Sequence, residues 1–74
     1  MKDSQFITEF QMSDRAMLKV HLKEFVGQRY VDIRAYETRW SGAYLSTPKG
    51  FELRVELIPE LIGALQKAEK ALNE

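Results

Sequence analysis

Cysteine is absent from this 74-residue sequence, and histidine occurs only once, as His21. These absences exclude disulfide bonds, cysteine-based zinc sites and a histidine-rich metal site. A chain of this length forms one domain, whose core alone contributes no more than about 3–5 kcal/mol. Because neither a disulfide nor a cysteine-bound metal can add to that stability, the sequence predicts oligomerisation, with a homodimer as the simplest form.

An excess of charge and a long hydrophobic run are also missing. Basic and acidic residues balance at 11 each, which is unusual for a strong nucleic-acid binder, although the distribution of charge matters more than its sum. No apolar stretch approaches the roughly 18 residues of a membrane span. The first ten residues contain no hydrophobic signal core, so we expect a cytoplasmic protein, associated with the nucleoid if it is bacterial.

No catalytic constellation is visible in the sequence. It contains no glycine-rich phosphate loop, no nucleophile elbow and no metal-ligand spacing. Glu52 and Glu56 are four residues apart, but they lie across a predicted strand–helix junction. His21 falls on the polar side of a predicted strand, where we expect it to be solvated. The sequence therefore predicts a protein that is not an enzyme and that uses neither a cofactor nor a metal.

Two segments in the first half alternate between apolar and polar residues, as half-buried strands do. The first begins at Leu18 and sets Leu18, Val20 and Leu22 opposite Lys19, His21 and Lys23. The second begins near Arg29 and sets Val31, Ile33 and Ala35 opposite Tyr30, Asp32, Arg34 and Tyr36. The short connection at Gly27-Gln28 predicts an antiparallel hairpin.

The flanking segments complete the predicted sheet. Residues 1–15 are weakly patterned and are expected to form an N-terminal arm with at most a short irregular strand, before a domain at 16–74. After a loop at 38–42, residues 43–45 and 51–55 are predicted as short third and fourth strands. Ser46 to Gly50, which includes Pro48, is expected to break the chain between them. The predicted fold class is α+β, with antiparallel strands followed by one C-terminal helix.

The C-terminal segment repeats apolar residues at spacings of three and four, as an amphipathic helix does. Pro59 is compatible with a helix that starts there or near Glu56, and the apolar Val55 favours the earlier start. The apolar arc is wider than one small sheet can cover, which indicates a partner subunit. The expected dimer interface consists of Ile58, Leu61, Ile62 and Leu65.

Basic and aromatic residues occur together on the predicted strands and the loops beside them. Unpaired bases stack on aromatic rings with about 1–3 kcal/mol each, and phosphates pair with lysine or arginine. Such a surface predicts binding to single-stranded nucleic acid. The alternative is that strands favour aromatic residues in any case, and that lysine and arginine keep the surface soluble. The residues are Lys19, Lys23, Tyr30, Arg34, Tyr36, Arg39, Trp40, Tyr44 and Lys49.

Three motifs occur in a recognisable order. They are Lys23-Glu24-Phe25 with Gly27, then Asp32-Ile33-Arg34-Ala35-Tyr36, then Lys49-Gly50 before Phe51-Glu52-Leu53. In order and spacing, over roughly residues 16–72, they resemble the family of the transcriptional coactivator positive cofactor four. The resemblance implies a homodimer of curved four-stranded sheets, with helices in the interface and single-stranded DNA across both sheets. Members of the family act in transcription and in handling exposed or melted DNA.

The resemblance also implies roles for single residues. Lys23 and Lys49 match basic contact positions, Phe25 a stacking position and Arg34 a phosphate-binding position. Tyr36, Arg39 and Trp40 join the predicted nucleic-acid-binding set from the residue pattern alone.

Some positions depart from the family pattern. Glu37, Val26, Gln28 and Leu45 stand where the family can carry an aromatic residue or lysine. With the zero net charge, these departures leave a dimeric protein-interaction module that has lost DNA binding as the alternative. The sequence does not separate DNA from RNA as the ligand.

Overall fold

The computed structural model describes residues 4–39 and 42–74. Four strands, β1 (Ser4–Ser13), β2 (Ala16–Phe25), β3 (Gln28–Glu37) and β4 (Leu45–Arg54), form one antiparallel sheet in the order β1-β2-β3-β4. A 3₁₀ turn at Val55–Leu57 leads into helix α1 (Ile58–Leu72). The predicted fold class, a four-stranded antiparallel sheet followed by one C-terminal helix, is confirmed.

Strands β2 and β3 pair over their whole lengths and carry the predicted alternation. Val20 lies opposite Ile33 on the apolar side of the sheet, whereas Lys19 lies opposite Arg34 on the polar side. The buried apolar residues are Ala16, Val31 and Ala35. The core of the isolated chain is therefore small and lies along β3, where a strand is flanked on both edges.

Strand β1 is longer than the short strand expected from its weak pattern. Its pairing with β2 shifts register between Phe6 and Thr8, and again between Gln11 and Ser13. A shift of one residue moves the following side chains to the other side of the sheet. The two shifts therefore interrupt the alternation, which explains why the sequence pattern indicates only an irregular strand here.

The hairpin between β2 and β3 turns at Val26 and Gly27, one residue earlier than expected. Both residues have positive φ, 52° at Val26 and 77° at Gly27, as a two-residue turn of type I′ requires. Glycine adopts this conformation freely, but a β-branched residue such as valine rarely does. The tip of this hairpin is therefore strained at Val26.

The predicted break at Ser46 to Gly50 is wrong, because β4 runs through it without interruption. β4 is an edge strand, where the missing N–H of Pro48 leaves no ladder bond unmade. Gly50 lies so close to β3 that an added Cβ would be 2.7 Å from the Cα of Arg34. In this strand proline and glycine thus permit pairing at an edge rather than ending it.

A bulge in β4 accommodates the proline. The register between β3 and β4 shifts between Arg34 and Tyr36. Beside the shift, the hydroxyl of Thr47 donates to the backbone oxygen of Ala35 at 2.7 Å and accepts from the backbone N–H of Lys49 at 3.1 Å. The Thr47 side chain replaces ladder hydrogen bonds that the bulge interrupts. No sequence motif predicts this role of Thr47.

The helix begins in two steps. Helical backbone starts with the 3₁₀ turn at Val55, and the α-helix proper begins at Ile58 with Pro59 in its first turn. The earlier start, near Glu56, is therefore correct for the turn, and the later start is closer for the α-helix.

Helix α1 extends away from the sheet. None of its residues is buried, and within the chain it contacts chiefly the 3₁₀ turn. Ile62 and Leu65 are 50% and 61% exposed. In residues 4–39 and 42–74, no helix is both long and apolar enough to cross a membrane.

Candidate nucleic-acid interface

The polar side of the sheet presents rows of cross-strand neighbours, and we call this surface the sheet face. Because register partners lie on the same side, the rows bring together residues that are far apart in sequence. The face contains four cations, three carboxylates and four rings. Its members are Phe6, Glu9, Lys19, His21, Lys23, Tyr30, Asp32, Arg34, Tyr36, Glu52 and Arg54.

The centre of the sheet face is an ion pair between Arg34 and Asp32. The guanidinium donates from Nη2 to Asp32 Oδ1 at 2.9 Å, and from Nε to Oδ1 and Oδ2 at 3.2 and 3.3 Å. Its Nη1 donates to the backbone oxygen of Thr47 at 3.1 Å. Asp32 is only 1% exposed, and Arg34 is its nearest cation.

The pair also governs the ionisation of Arg34. The hydrogen bond to Asp32 raises the pKa of the Arg34 guanidinium above its ordinary value, although partial burial opposes the shift. A raised pKa of a basic group stabilises the fold at every pH below the ordinary value. Arg34 is therefore cationic throughout the pH range in which nucleic acid could bind.

Two lysines flank this central pair, and each contacts a carboxylate. Lys23 Nζ lies 3.2 Å from Glu52 Oε2 and 3.9 Å from Asp32 Oδ1. Lys19 Nζ lies 3.5 Å from Glu9 Oε1. These are partly exposed contacts, which contribute about 0–1 kcal/mol each, so the lysines can exchange partners at little expense in stability.

Rings form a continuous series across the sheet face. Phe6 meets His21 edge to face with centroids 5.5 Å apart, and His21 lies 6.2 Å from Tyr36. The ammonium of Lys19 lies 4.6 Å from the centre of the Tyr36 ring, within the range of a cation–π contact. His21 is therefore packed between rings rather than solvated as expected.

Phe6 and Arg54 lie on this surface although the sequence pattern does not indicate either. Phe6 is the more informative of the two. It is 52% exposed, and only the pairing of β1 with β2 brings it beside His21. The aromatic residues of the N-terminal segment indicate that a ring could lie on this surface. The sequence does not show on which side of the sheet Phe6 lies, because the register shifts directly after it.

The predicted site residues divide into two groups. Lys23, Arg34 and Tyr36 lie together on the sheet face, and Phe25 lies at its hairpin end on the same side as Lys23 by alternation. Phe25 is 65% exposed, which leaves its ring free to stack. The structure thus brings together four of the seven predicted residues.

Two of the other three, Lys49 and Arg39, lie away from the sheet face. Lys49 is in the β4 bulge, with Nζ 2.9 Å from Glu37 Oε2, and Glu37 alternates with Tyr36 and so is not on the sheet face. Arg39 is exposed after β3, and its backbone oxygen accepts a hydrogen bond from Arg15 Nη1 at 2.9 Å. Trp40 lies outside the described residues.

In chemical terms, the sheet face offers rings for stacking and cations for phosphates. Across residues 4–39 and 42–74, no three histidine, aspartate or glutamate side chains are grouped so as to hold a metal ion.

Two crystal structures of a PC4 homolog from Burkholderia pseudomallei, in tetragonal and orthorhombic crystal forms, are similar to this chain. Each matches with a TM-score of 0.81 and 27% sequence identity over 90% of this chain, and over 98% and 90% of the homolog respectively. No family model matches the sequence, and no curated protein matches it. The similarity of fold and sequence to a PC4 homolog confirms the resemblance to the positive cofactor four family.

Proposed function

We propose that this protein binds single-stranded DNA across the sheet face and does so as a homodimer. The observation that carries the proposal is the presence of rings and cations on one side of one sheet. Tyr36 is the clearest case, since it has His21 on one side and the Lys19 ammonium 4.6 Å from its ring. The likeness to a PC4 homolog supports the same function.

The exposed rings favour single strands over duplexes. Phe6 and Phe25 are more than half exposed and are available to stack with bases. Bases in a duplex are already stacked on each other, so they cannot use such rings without being unpaired first. Each stacked base contributes about 1–3 kcal/mol, so a strand that contacts several rings gains affinity without sequence-specific hydrogen bonds.

The homodimer is supported by the large surface area that the isolated chain leaves exposed. Its accessible area is 5843 Å², compared with about 4700 Å² for an ordinary monomer of this mass. The excess is larger than the roughly 800 Å² that one partner contributes to a standard interface.

The helix supplies a specific apolar surface for the partner. An open, largely apolar surface runs along one side of α1. This surface includes two of the four predicted interface residues, Ile62 and Leu65, together with Leu72. The predicted interface residues Ile58 and Leu61 are half-buried at the beginning of the same helix.

A fluorescence anisotropy titration with a labelled oligonucleotide of about 20 nucleotides tests the proposal, because ionic contacts make affinity depend on salt. We expect saturable binding at low salt, weaker binding as salt rises, and little competition by a duplex of the same sequence. An oligoribonucleotide in the same assay measures the preference for DNA over RNA. Absence of binding at the lowest salt would reject the proposal.

The pairing of the face cations with carboxylates favours a second candidate, a dimeric protein-interaction module without DNA binding. Lys23 and Glu52 are 3.2 Å apart, and a surface on which most cations are already paired suits a protein partner better than a polyanion. A stable dimer in solution that fails to bind any oligonucleotide would favour this candidate.

The expectations about biological process, cellular location and enzymatic activity rest on the family resemblance and the composition alone. A role in transcription or in handling melted DNA, with contacts to the transcription machinery, stays a prediction. The same holds for the cytoplasmic location and for the expectation that the protein is not an enzyme.

A further inference from the structure

Three of the four cations on the sheet face have a carboxylate partner on that same face. Arg34 contacts Asp32 at 2.9 Å, Lys23 contacts Glu52 at 3.2 Å, and Lys19 contacts Glu9 at 3.5 Å. In the part of the chain that the structure describes, the fourth cation, Arg54, has no carboxylate within 4 Å. Most of the positive charge on the surface that would meet the phosphates is thus already paired with carboxylates in the free protein.

The three pairs differ in how easily they open. Asp32 is enclosed beneath Arg34, so this pair is part of the fold. Glu9 and Glu52 have side chains that are 39% and 44% exposed, and exposed pairs of this kind contribute little to stability. Only Lys19 and Lys23 can therefore exchange their carboxylates for phosphates.

Such an exchange removes the usual electrostatic advantage of binding. When a free lysine neutralises a phosphate, the counterion of that phosphate is released, and the affinity falls as salt rises. When a lysine that is paired with a glutamate neutralises a phosphate, it leaves the glutamate without a partner. The glutamate carboxylate then attracts a cation from solution. The release and the uptake offset each other, so a paired lysine adds little net ion release.

We propose that Glu9 and Glu52 are specificity-determining residues that keep Lys19 and Lys23 neutralised in the free protein. This inference rests on the proposed binding of single-stranded DNA. With the two lysines neutralised, a ligand gains affinity mainly by stacking its bases on the rings. Polyanions that offer charge without accessible bases, such as duplex DNA and inorganic polyphosphate, are consequently rejected.

The test compares the anisotropy titrations of the unaltered protein with those of Glu9→Gln, Glu52→Gln and the double variant. Glutamine keeps the size of the side chain and removes its charge. We expect each substitution to steepen the log–log salt dependence by about 0.7, the value for one additional phosphate contact on a single strand. At low salt each should tighten binding about two- to fivefold, and polyphosphate should begin to compete for the double variant.

Glu74→Gln is the matched control, because it makes the same change in net charge beyond the end of α1. We expect its salt dependence to equal that of the unaltered protein. If the face variants bind with an unchanged salt dependence, or if Glu74→Gln changes it equally, the inference is overturned while the proposed function stands. If no form binds the oligonucleotide even at low salt, the proposed function itself fails.

Discussion

Asp32 lies beneath Arg34 at the centre of the sheet face, with Asp32 Oδ1 2.9 Å from Arg34 Nη2 and the aspartate almost completely enclosed. The arginine that the family resemblance assigns to phosphate binding is therefore also the counter-charge of a buried acid. Its side chain is held in place before any ligand arrives, which lowers the conformational entropy lost on binding. Arg34→Ala would remove the hydrogen-bonding partner of the aspartate, leaving it only the Lys23 ammonium at 3.9 Å, and would thus change folding as well as binding.

Asp32→Asn is expected to lower the free energy of unfolding by about 1–3 kcal/mol, because hydrogen bonds to a charged partner are lost and an amide group then faces the guanidinium. Urea denaturation at a fixed protein concentration measures the change. Asp14→Asn, in the exposed turn between β1 and β2, is the matched control and should alter stability little. Equal effects of the two substitutions would show that the buried ion pair contributes no more to the free energy of unfolding than an exposed aspartate does.

Phe25→Ala is expected to weaken binding of a labelled single strand roughly 5- to 150-fold, which is the loss of one stacked base. Folding should change little, since the ring is largely exposed. Phe10→Ala removes the same ring from the apolar side of the sheet, opposite Leu18, and serves as the control in the same titration. If both variants bind as the unaltered protein does, Phe25 is not a stacking residue.

Leu65→Glu is expected to convert a dimer into monomers, since it introduces a charge into the apolar surface of α1. Sedimentation equilibrium over a range of protein concentrations measures the association. Lys67→Glu is the control, because a spacing of two residues directs its side chain to the opposite side of the helix. A Leu65→Glu protein that still sediments as a dimer would exclude α1 from the interface.

Val26→Asn is expected to raise the free energy of unfolding by about 1 kcal/mol, because asparagine tolerates the left-handed conformation that Val26 adopts at φ 52°. Thermal denaturation should show the midpoint rising by roughly 4–8 °C for a domain of this size. Val26→Ala retains a Cβ and should gain less. Destabilisation by asparagine would mean that the valine side chain makes contacts that outweigh its backbone strain.

The paired central strands could be predicted from sequence because their signals are local. Lys19 and Val20 are adjacent, alternate cleanly and lie on opposite sides of the sheet as expected. The predicted break at Pro48 and Gly50 was wrong because it also relied on a local rule, which treats proline and glycine as residues that end a strand. Their tolerance depends on β4 being an edge strand with a bulge, which is a property of the assembled sheet.

The site was predictable only in part, because its decisive contacts are distant in sequence. Lys23 and its partner Glu52 are separated by 29 positions, so the neutralisation of the lysine cannot be inferred from its neighbours in the chain. Phe6 joins the surface solely through the register of β1. The motifs indicated which residue types bind, whereas the sheet determines which of them are free to do so.

Backbone amide NMR spectra of the nitrogen-15-labelled protein, recorded during titration with an oligonucleotide of about 20 nucleotides at low salt, would test the binding surface directly. We predict the largest chemical-shift changes in β2 and β3, at Lys19, Lys23, Arg34 and Tyr36, with small changes in the second half of α1. Changes confined to α1, or no changes at any oligonucleotide concentration, would contradict the assignment of the sheet face as a surface that binds single strands.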